Sequence, residues 1–482
     1  MPKQIDQRLM QAMNAIAGGQ PQQAASLCNL VLSERKRDDL AMALLAQAYN
    51  SMGKYDDAIQ LIQVAISKNN KRADYHGLLG DMLTTRGEFR KAISAYDKAL
   101  KLNPDHHGVI AGKANTWLRL NEPNKARLLV ETIIKKGNED LSIAIVYAKT
   151  LLADEKPDDA ADALLGHLPA DQEPLETRRT LYFTLGKAME NAGEYKNAIE
   201  AYEEGNKLSV SGFNIDTCVQ KHDDIIKTFS DNIDVANNNS YEDCSNRVFI
   251  VGMLRSGSTL TEQIIDAHPM GRGLGELETL PKLINDMLGG ASILKSWGQW
   301  TADQRKSIVV QYLQQTNCKT NESVLVDKQL GNYQFVGIIH ALFPRAKIIH
   351  CTRNPMSMGL SCFAQKFPPF TNPWASNFRD IGHFYNEYAR LMRHWQDLLG
   401  ENMLEIKYED LVSNQEQMTR TILNFCDLDF NERCLRFWET GRTVLTLSQD
   451  QVRKPMYESS IARHERFGVL LDPLKNSLGI DP

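Results

Sequence analysis

Residues 249–260 read FIVGMLRSGSTL. A short apolar run, Phe249-Ile250-Val251, stops at Gly252. Arg255-Ser256-Gly257-Ser258-Thr259 follow, and Leu260, Ile264 and Ile265 then recur at helical spacing. Strand, glycine-bearing loop and helix together aim backbone N–H groups and a helix N-terminus at a phosphate. A nucleoside-triphosphate loop of this kind reads G-x-x-x-x-G-K-[ST]. Gly252 and Gly257 keep that spacing, but Ser258 stands where the lysine belongs and Arg255 lies inside the loop. The stretch predicts a site for an anionic nucleotide, without the lysine that an ATP or GTP site uses.

Around this loop the second half of the chain alternates apolar, β-branched runs with helical patterns. Strands are predicted over 248–251, 324–326, 347–351 and 404–407, and helices over 259–267, 301–317, 335–342, 355–363, 381–399 and 415–426. Such alternation predicts an α/β domain, P-loop-like, with a mostly parallel sheet and helices on both faces. Ligands of such sheets bind at the carboxyl ends of the strands. Arg255, Lys328, Arg353 and Tyr408 each follow a predicted strand, which makes them candidates for one site.

The first half is periodic. Ala24, Ala58, Ala92, Ala126 and Ala160 are 34 residues apart, and Ala198 follows after 38. Ala46, Gly80, Ala114, Ala148 and Gly186 precede their alanines by twelve, while Ile62, Tyr96, Val130, Leu164 and Tyr202 follow by four. Gly53, Gly87 and Gly193 mark turns, and Pro104 closes a unit. Small residues let paired helices approach, and large ones fill the space beside them. The pattern resembles the tetratricopeptide repeat, in about six units over residues 1–207, and predicts an all-α solenoid ahead of the α/β domain. A concave solenoid face serves partner or substrate docking, self-association, or bracing of the second half. Residues 208–245 read as one more amphipathic helix and an asparagine-rich linker, with the α/β domain over 246–482.

With 482 residues, 24% of them charged and 42% hydrophobic, the chain suits an ordinary multi-domain protein. A net charge of −5 argues against a general nucleic-acid binder, so any anion site must be a local basic patch. The first twenty residues read as an amphipathic helix rather than a signal peptide, and no apolar run is long enough for a membrane span. The eight cysteines form no C-x-x-C pair. Reduced structural thiols and a cytoplasmic location are therefore expected.

Four segments in order resemble the sulfotransferases that use 3′-phosphoadenosine 5′-phosphosulfate (PAPS). Residues 252–259 resemble the 5′-phosphosulfate loop. KIIHCTRNPMSMGLS, residues 347–361, resembles the 3′-phosphate segment, with Arg353 and Ser361 eight apart. KYEDL, 407–411, resembles a later family element, and SQDQVRKP, 448–455, the segment that closes over the nucleotide. Together with the repeats the likeness is to bacterial tetratricopeptide-repeat sulfotransferases and, more distantly, to tyrosylprotein sulfotransferases.

The resemblance implies PAPS as co-substrate, bound by Arg255, Ser256, Gly257, Ser258, Thr259, Arg353, Ser361, Tyr408 and Lys454, with no metal ion. It also implies Glu276, in HPMGRGLGE, as general base, and Lys328 and Ser448 as stabilisers of transition-state charge. Glu278 and His268 are alternative bases, and Glu276 could instead serve as a helix-end carboxylate or ion-pair partner. The chemistry of the residues agrees: sulfuryl transfer, like phosphoryl transfer, asks mainly for positioning and charge stabilisation. The acceptor is any hydroxyl carrier: a peptide or protein, a saccharide or a small metabolite. Competing readings are a P-loop kinase or NTPase, for which Asp327 mimics the metal-binding acid but against which the missing loop lysine speaks, and an inactive repeat scaffold. In this chain Leu254 replaces a proline common before the loop arginine, Ser258 replaces a threonine, and Asn354 a frequent aspartate.

Overall fold

The computed structural model describes residues 2–137, 140–209, 212–230, 246–316, 324–368, 371–440, 455–456 and 461–480. The chain divides into two compact units: Met1–Val210 with Ala364–Asn372, and Ser211–Phe363 with Pro373–Pro482.

Among the described residues of the first unit, twelve helices form six hairpins, from Pro2–Ala17 and Pro21–Glu34 to Leu175–Asn191 and Tyr195–Lys207. The repeat register has a packing cause. In the glycine-bearing units the small residue of the first helix faces the large residue of the second. Gly80 lies under the Tyr96 ring, where a Cβ would sit 2.5 Å from Cε1, and Gly186 lies under Tyr202 at 2.6 Å. Where the large residue is aliphatic, the small one is alanine: Ala46 with Ile62 in one buried cluster, Ala114 with Val130 in another. The turn between the helices holds one residue in the left-handed region, at Gly53 (φ 77°), Gly87 (84°) and Gly193 (85°). Gly19 occupies the same place in the first unit, and Asn121 (φ 61°) and Glu155 (φ 59°) adopt this conformation where glycine is absent.

This matching of sizes yields a stability prediction. Gly80→Ala drives a methyl into the Tyr96 ring and lowers unfolding stability by about 1–3 kcal/mol. In a Tyr96→Ile background the same change costs little. Denaturant unfolding of the two single variants and the double variant measures this coupling.

The segment Ala364–Asn372 packs with this unit. Arg179, 2% exposed, donates to the Phe367 carbonyl (3.0 Å), Ser209 Oγ (3.0 Å) and Glu176 Oε1 (2.7 Å). Lys366 Nζ reaches Glu176 Oε2 at 3.0 Å and Thr180 Oγ1 at 2.8 Å.

The second unit is built on a five-stranded, all-parallel sheet: β1 (Arg247–Gly252), β2 (Gly271–Gly275), β3 (Val324–Asp327), β4 (Lys347–Thr352) and β5 (Met403–Lys407), in the order β2-β3-β1-β4-β5. β1 is central and wholly buried. Its alternation supplies two cores. Val248 and Ile250 pack with Ile264, Ile265, Val326, Ile349 and Leu411, while Phe249 stacks on Tyr312 and meets Phe343 on the other face. The helix Ile215–Thr228, expected between the halves, groups with this unit.

β2 is the strand missing from the predicted set. Its sequence, GRGLG, carries almost none of the apolar signal by which strands are recognised. It is held from outside instead: Glu262 Oε1 accepts the Gly275 N–H at 2.8 Å, and Asp266 Oδ1 accepts the Gly273 N–H at 2.7 Å. Both carboxylates come from the helix Ser258–Asp266 that follows the loop.

Candidate functional site

The loop after β1 is shaped by backbone crowding. A Cβ at Gly252 would lie 2.6 Å from the Cys351 carbonyl oxygen. One at Gly257 (φ 94°) would lie 2.7 Å from Tyr408 Cδ2. Arg255 adopts φ 68°, a strained choice for a residue with a long side chain. The helix Ser258–Asp266 begins at Gly257 with no side-chain cap, so its first N–H groups face the loop. Ser256 is 2% exposed, and its hydroxyl has no hydrogen-bond partner among the described residues. Ser258 and Thr259 are 4% and 5% exposed. Uncapped amides beside a buried hydroxyl with an unfilled bond form a cradle suited to a phosphate.

To one side of the loop lie β3 and β2. Lys328 follows β3 and is 0% exposed; its Nζ lies 2.5 Å from Oε1 of Glu276, which follows β2 and is 46% exposed. The Lys328 N–H donates to the Gly275 carbonyl at 3.0 Å and fixes the two strand ends together. A buried cation is thus joined to a carboxylate that an incoming hydroxyl can reach. Glu278, the alternative base, accepts from Gln329 Nε2 at 2.7 Å instead. His268 serves the backbone: its Nδ1 accepts the Met270 N–H at 3.0 Å and caps the turn into β2.

Asp327 does not suit the metal-binding role of a kinase or NTPase. It is 1% exposed, and it accepts from Tyr312 Oη at 2.9 Å and from the Gln329 N–H at 3.2 Å. Burial raises its carboxyl from the ordinary 3.8 to about 7, although those hydrogen bonds and Arg247 oppose the rise. The folded protein therefore holds this proton more tightly than the unfolded chain does. This group's contribution to stability is full below pH about 4 and falls as the pH rises towards 7. Asp327→Asn is expected to raise the thermal midpoint at pH 8, and the gain should shrink by pH 5. Thermal scans across that range read it out.

On the other side of the loop lie β4 and β5. Arg353, 7% exposed, follows β4; its guanidinium stacks over the Tyr408 ring at 4.5 Å, and Nη1 donates to the Arg255 carbonyl at 3.2 Å. Burial depresses its basicity; Tyr408 and Glu409 oppose this, and Arg463 adds to it. Arg255 Nε donates to Ser361 Oγ at 3.0 Å. The loop arginine thus reaches across to the β4 side, beyond the 5′-phosphate expected of it. Asn354 Oδ1 accepts from the Met356 and Ser357 N–H groups and caps the helix Pro355–Phe363, as an aspartate does at such a position.

The expected residues therefore sort along the sheet edge in strand order: Glu276 and Lys328, then the loop, then Arg353 and Tyr408, with Ser361 on the helix after β4. Ser448 and Lys454 lie outside the described residues. Sequence reasoning missed the supporting carboxylates Glu262 and Asp266, which are anonymous without β2. Among the described residues no cluster of histidine, cysteine and carboxylate side chains could hold a metal ion, and no helix is long and apolar enough to cross a membrane.

Residues 247–432, spanning all five strands, match the model of the sulfotransferase family. The second half carries a sulfotransferase-family domain. Residues 15–82, 83–144 and 180–209 match tetratricopeptide-repeat models, so a repeat array precedes that domain. An uncharacterized protein of Aquifex aeolicus is 29% identical over 418 residues, covering 83% of this chain and 54% of that protein. Protein-tyrosine sulfotransferase A of Caenorhabditis elegans is 25% identical over 235 residues, 46% of this chain and 62% of the relative. The chain thus spans between about half and three-fifths of these relatives' lengths. Among solved structures, the sulfotransferase domain of the Synechococcus PCC 7002 olefin synthase aligns over 51% of this chain and 100% of its own, at 19% identity and a TM-score of 0.36.

Proposed function

We propose that the chain transfers the sulfuryl group of PAPS to a hydroxyl acceptor by in-line displacement. The observation that carries this reading is the Lys328–Glu276 pair on the ends of adjacent strands beside an uncapped phosphate loop. Amides of the loop, with the hydroxyls of Ser256, Ser258 and Thr259, hold the 5′-phosphate. Arg353 and Ser361 grip the 3′-phosphate, with Arg255 reaching Ser361. A planar guanidinium stacked on Tyr408 suits two-pronged recognition of phosphate oxygens.

In the reaction the acceptor oxygen forms a bond to sulfur while the bond from sulfur to the bridging 5′-phosphate oxygen breaks. The acceptor proton passes to the Glu276 carboxylate, and 3′-phosphoadenosine 5′-phosphate leaves. Lys328, with Ser448, neutralises the charge that develops on the bridging oxygen. Burial of Lys328 raises the value of that charge, because little water screens it.

The chemistry needs neither a β/γ-phosphate-binding lysine nor a metal. The repeat array docks the acceptor or a partner protein; likeness to the nematode protein-tyrosine sulfotransferase favours a tyrosine-bearing protein among peptide, saccharide and metabolite acceptors. Transfer of labelled sulfate from PAPS to components of a cell extract, with magnesium chelated, tests the reading. Magnesium-dependent ATP hydrolysis without sulfate transfer would favour the kinase or NTPase alternative.

A further inference from the structure

We propose that Asn332 contacts the group being transferred: its side-chain amide donates to a sulfuryl oxygen of PAPS, and so favours PAPS over 3′-phosphoadenosine 5′-phosphate, which lacks that group. This rests on the reading of the Lys328–Glu276 pair as the reacting centre.

Asn332 lies in the 3₁₀ turn Leu330–Phe335, just beyond Lys328. It is 0% exposed, and neither Oδ1 nor Nδ2 has a hydrogen-bond partner among the described residues. Burying an unpaired amide is costly, and buried polar groups almost always find a partner. Both halves of this amide are available to a ligand.

The topology places the turn. β3 and β4 flank β1, so the connection between them crosses β1. It crosses on the Phe249 face, because Phe343, which follows the helix Val336–Leu342, packs on the Phe249 ring. The connection leaves the carboxyl end of β3 and enters the amino end of β4. Its first turn therefore lies over the carboxyl end of β1, and it packs on that strand. The phosphate loop starts from the same end and carries Ser256, a second buried side chain with no hydrogen-bond partner among the described residues. A Cβ at Gly252 would lie 3.0 Å from Ser256 Oγ, so that hydroxyl stays close to the end of β1. Two unpartnered polar groups thus come from separate segments to one strand end, and the adjacent end of β3 carries Lys328.

The turn is fixed from its other sides. The Asn332 N–H donates to the Gln329 carbonyl at 3.0 Å, and Gln329 is tied to Asp327 and Glu278. Trp395 Nε1 donates to the Tyr333 carbonyl at 2.8 Å, and the Tyr333 ring meets Tyr388 edge-on at 5.1 Å. With about three residues per turn, neighbouring side chains diverge by about 120°, so Asn332 does not follow Tyr333 into this aromatic packing.

The oxygens of the sulfuryl group share negative charge and accept hydrogen bonds. A neutral amide donor adds affinity for them and leaves the bridging oxygen to Lys328. 3′-Phosphoadenosine 5′-phosphate presents no sulfuryl oxygen, so it gains nothing from this contact.

Calorimetric titration of the full chain with PAPS, and separately with 3′-phosphoadenosine 5′-phosphate, both without acceptor, tests this. Asn332→Leu is similar in size and apolar. It should weaken PAPS binding by at least about tenfold, the loss expected for a hydrogen bond to a charged group, and binding of the spent nucleotide by less than about twofold. Its thermal midpoint without nucleotide should not fall, because no partner in the fold loses a bond. Asn332→Ala, which removes any crowding by leucine, should reduce the ratio of the two affinities in the same direction. An unchanged ratio in both variants, or equal loss of both ligands, would overturn the proposal while wild-type binding of PAPS left the proposed function intact. A wild-type chain that binds neither nucleotide would overturn both.

Discussion

Lys328→Met is expected to abolish most sulfuryl transfer while leaving nucleotide affinity within a few-fold of wild type. Lys328 is fully buried and its ammonium pairs with Glu276. In the proposed mechanism its charge acts where negative charge grows during the reaction. Loss of one such donor costs about 3 kcal/mol in barrier, or about two to three powers of ten in rate. Methionine matches the apolar stem of lysine and fills its place between the strand ends, so the fold should survive. Glu276 is partly exposed, so its carboxylate can be hydrated once the ammonium is gone. Single-turnover transfer from labelled PAPS, compared with calorimetric binding of 3′-phosphoadenosine 5′-phosphate, separates the two effects. Activity within tenfold of wild type would remove Lys328 from the reacting centre.

Arg353→Ala should have the opposite signature: binding collapses. The guanidinium is 7% exposed and lies between the loop backbone and Tyr408. Removal takes away a charged fork in a site shielded from water, and leaves the Arg255 carbonyl short of one donor. Hydrogen bonds to charged groups are worth about 1.5–3 kcal/mol each, so a paired grip corresponds to a loss of at least about a hundredfold in affinity. Arg353→Lys should recover only part, because a lysine cannot present two parallel donors. Titration with 3′-phosphoadenosine 5′-phosphate reads the loss, and a thermal scan checks that the variants remain folded. Unchanged affinity would sink the nucleotide assignment.

Much of this arrangement is legible in the chain before any coordinates. The 34-residue register is strong because packing couples its positions: glycine appears where the facing residue is tyrosine, alanine where it is aliphatic. β1 and its loop are legible for a similar reason, since four apolar residues ending at a glycine are needed to bury a central strand and turn towards a ligand.

The failures also have physical causes. β2 is held by Glu262 and Asp266 from a neighbouring helix, so its own residues carry no hydrophobic pattern. Asp327 mimics a metal-binding acid by position, a role the missing loop lysine already argues against; what the sequence does not show is its place in the core, bonded to the Tyr312 hydroxyl. The tie between Ser357 and the turn at Ile461 and His464 could not be found by motif, because the two segments lie more than a hundred residues apart.

The decisive measurement is transfer of labelled sulfate from PAPS into cell-extract components by the wild-type chain and by Glu276→Gln, both with magnesium chelated. Glu276 holds Lys328 and presents an exposed carboxylate, so the neutral isostere keeps the site's shape but cannot take up the acceptor proton. Metal-independent labelling by wild type, reduced at least about a hundredfold in Glu276→Gln, is the predicted result. Absence of labelling by wild type across all extracts, or equal labelling by both proteins, would contradict it.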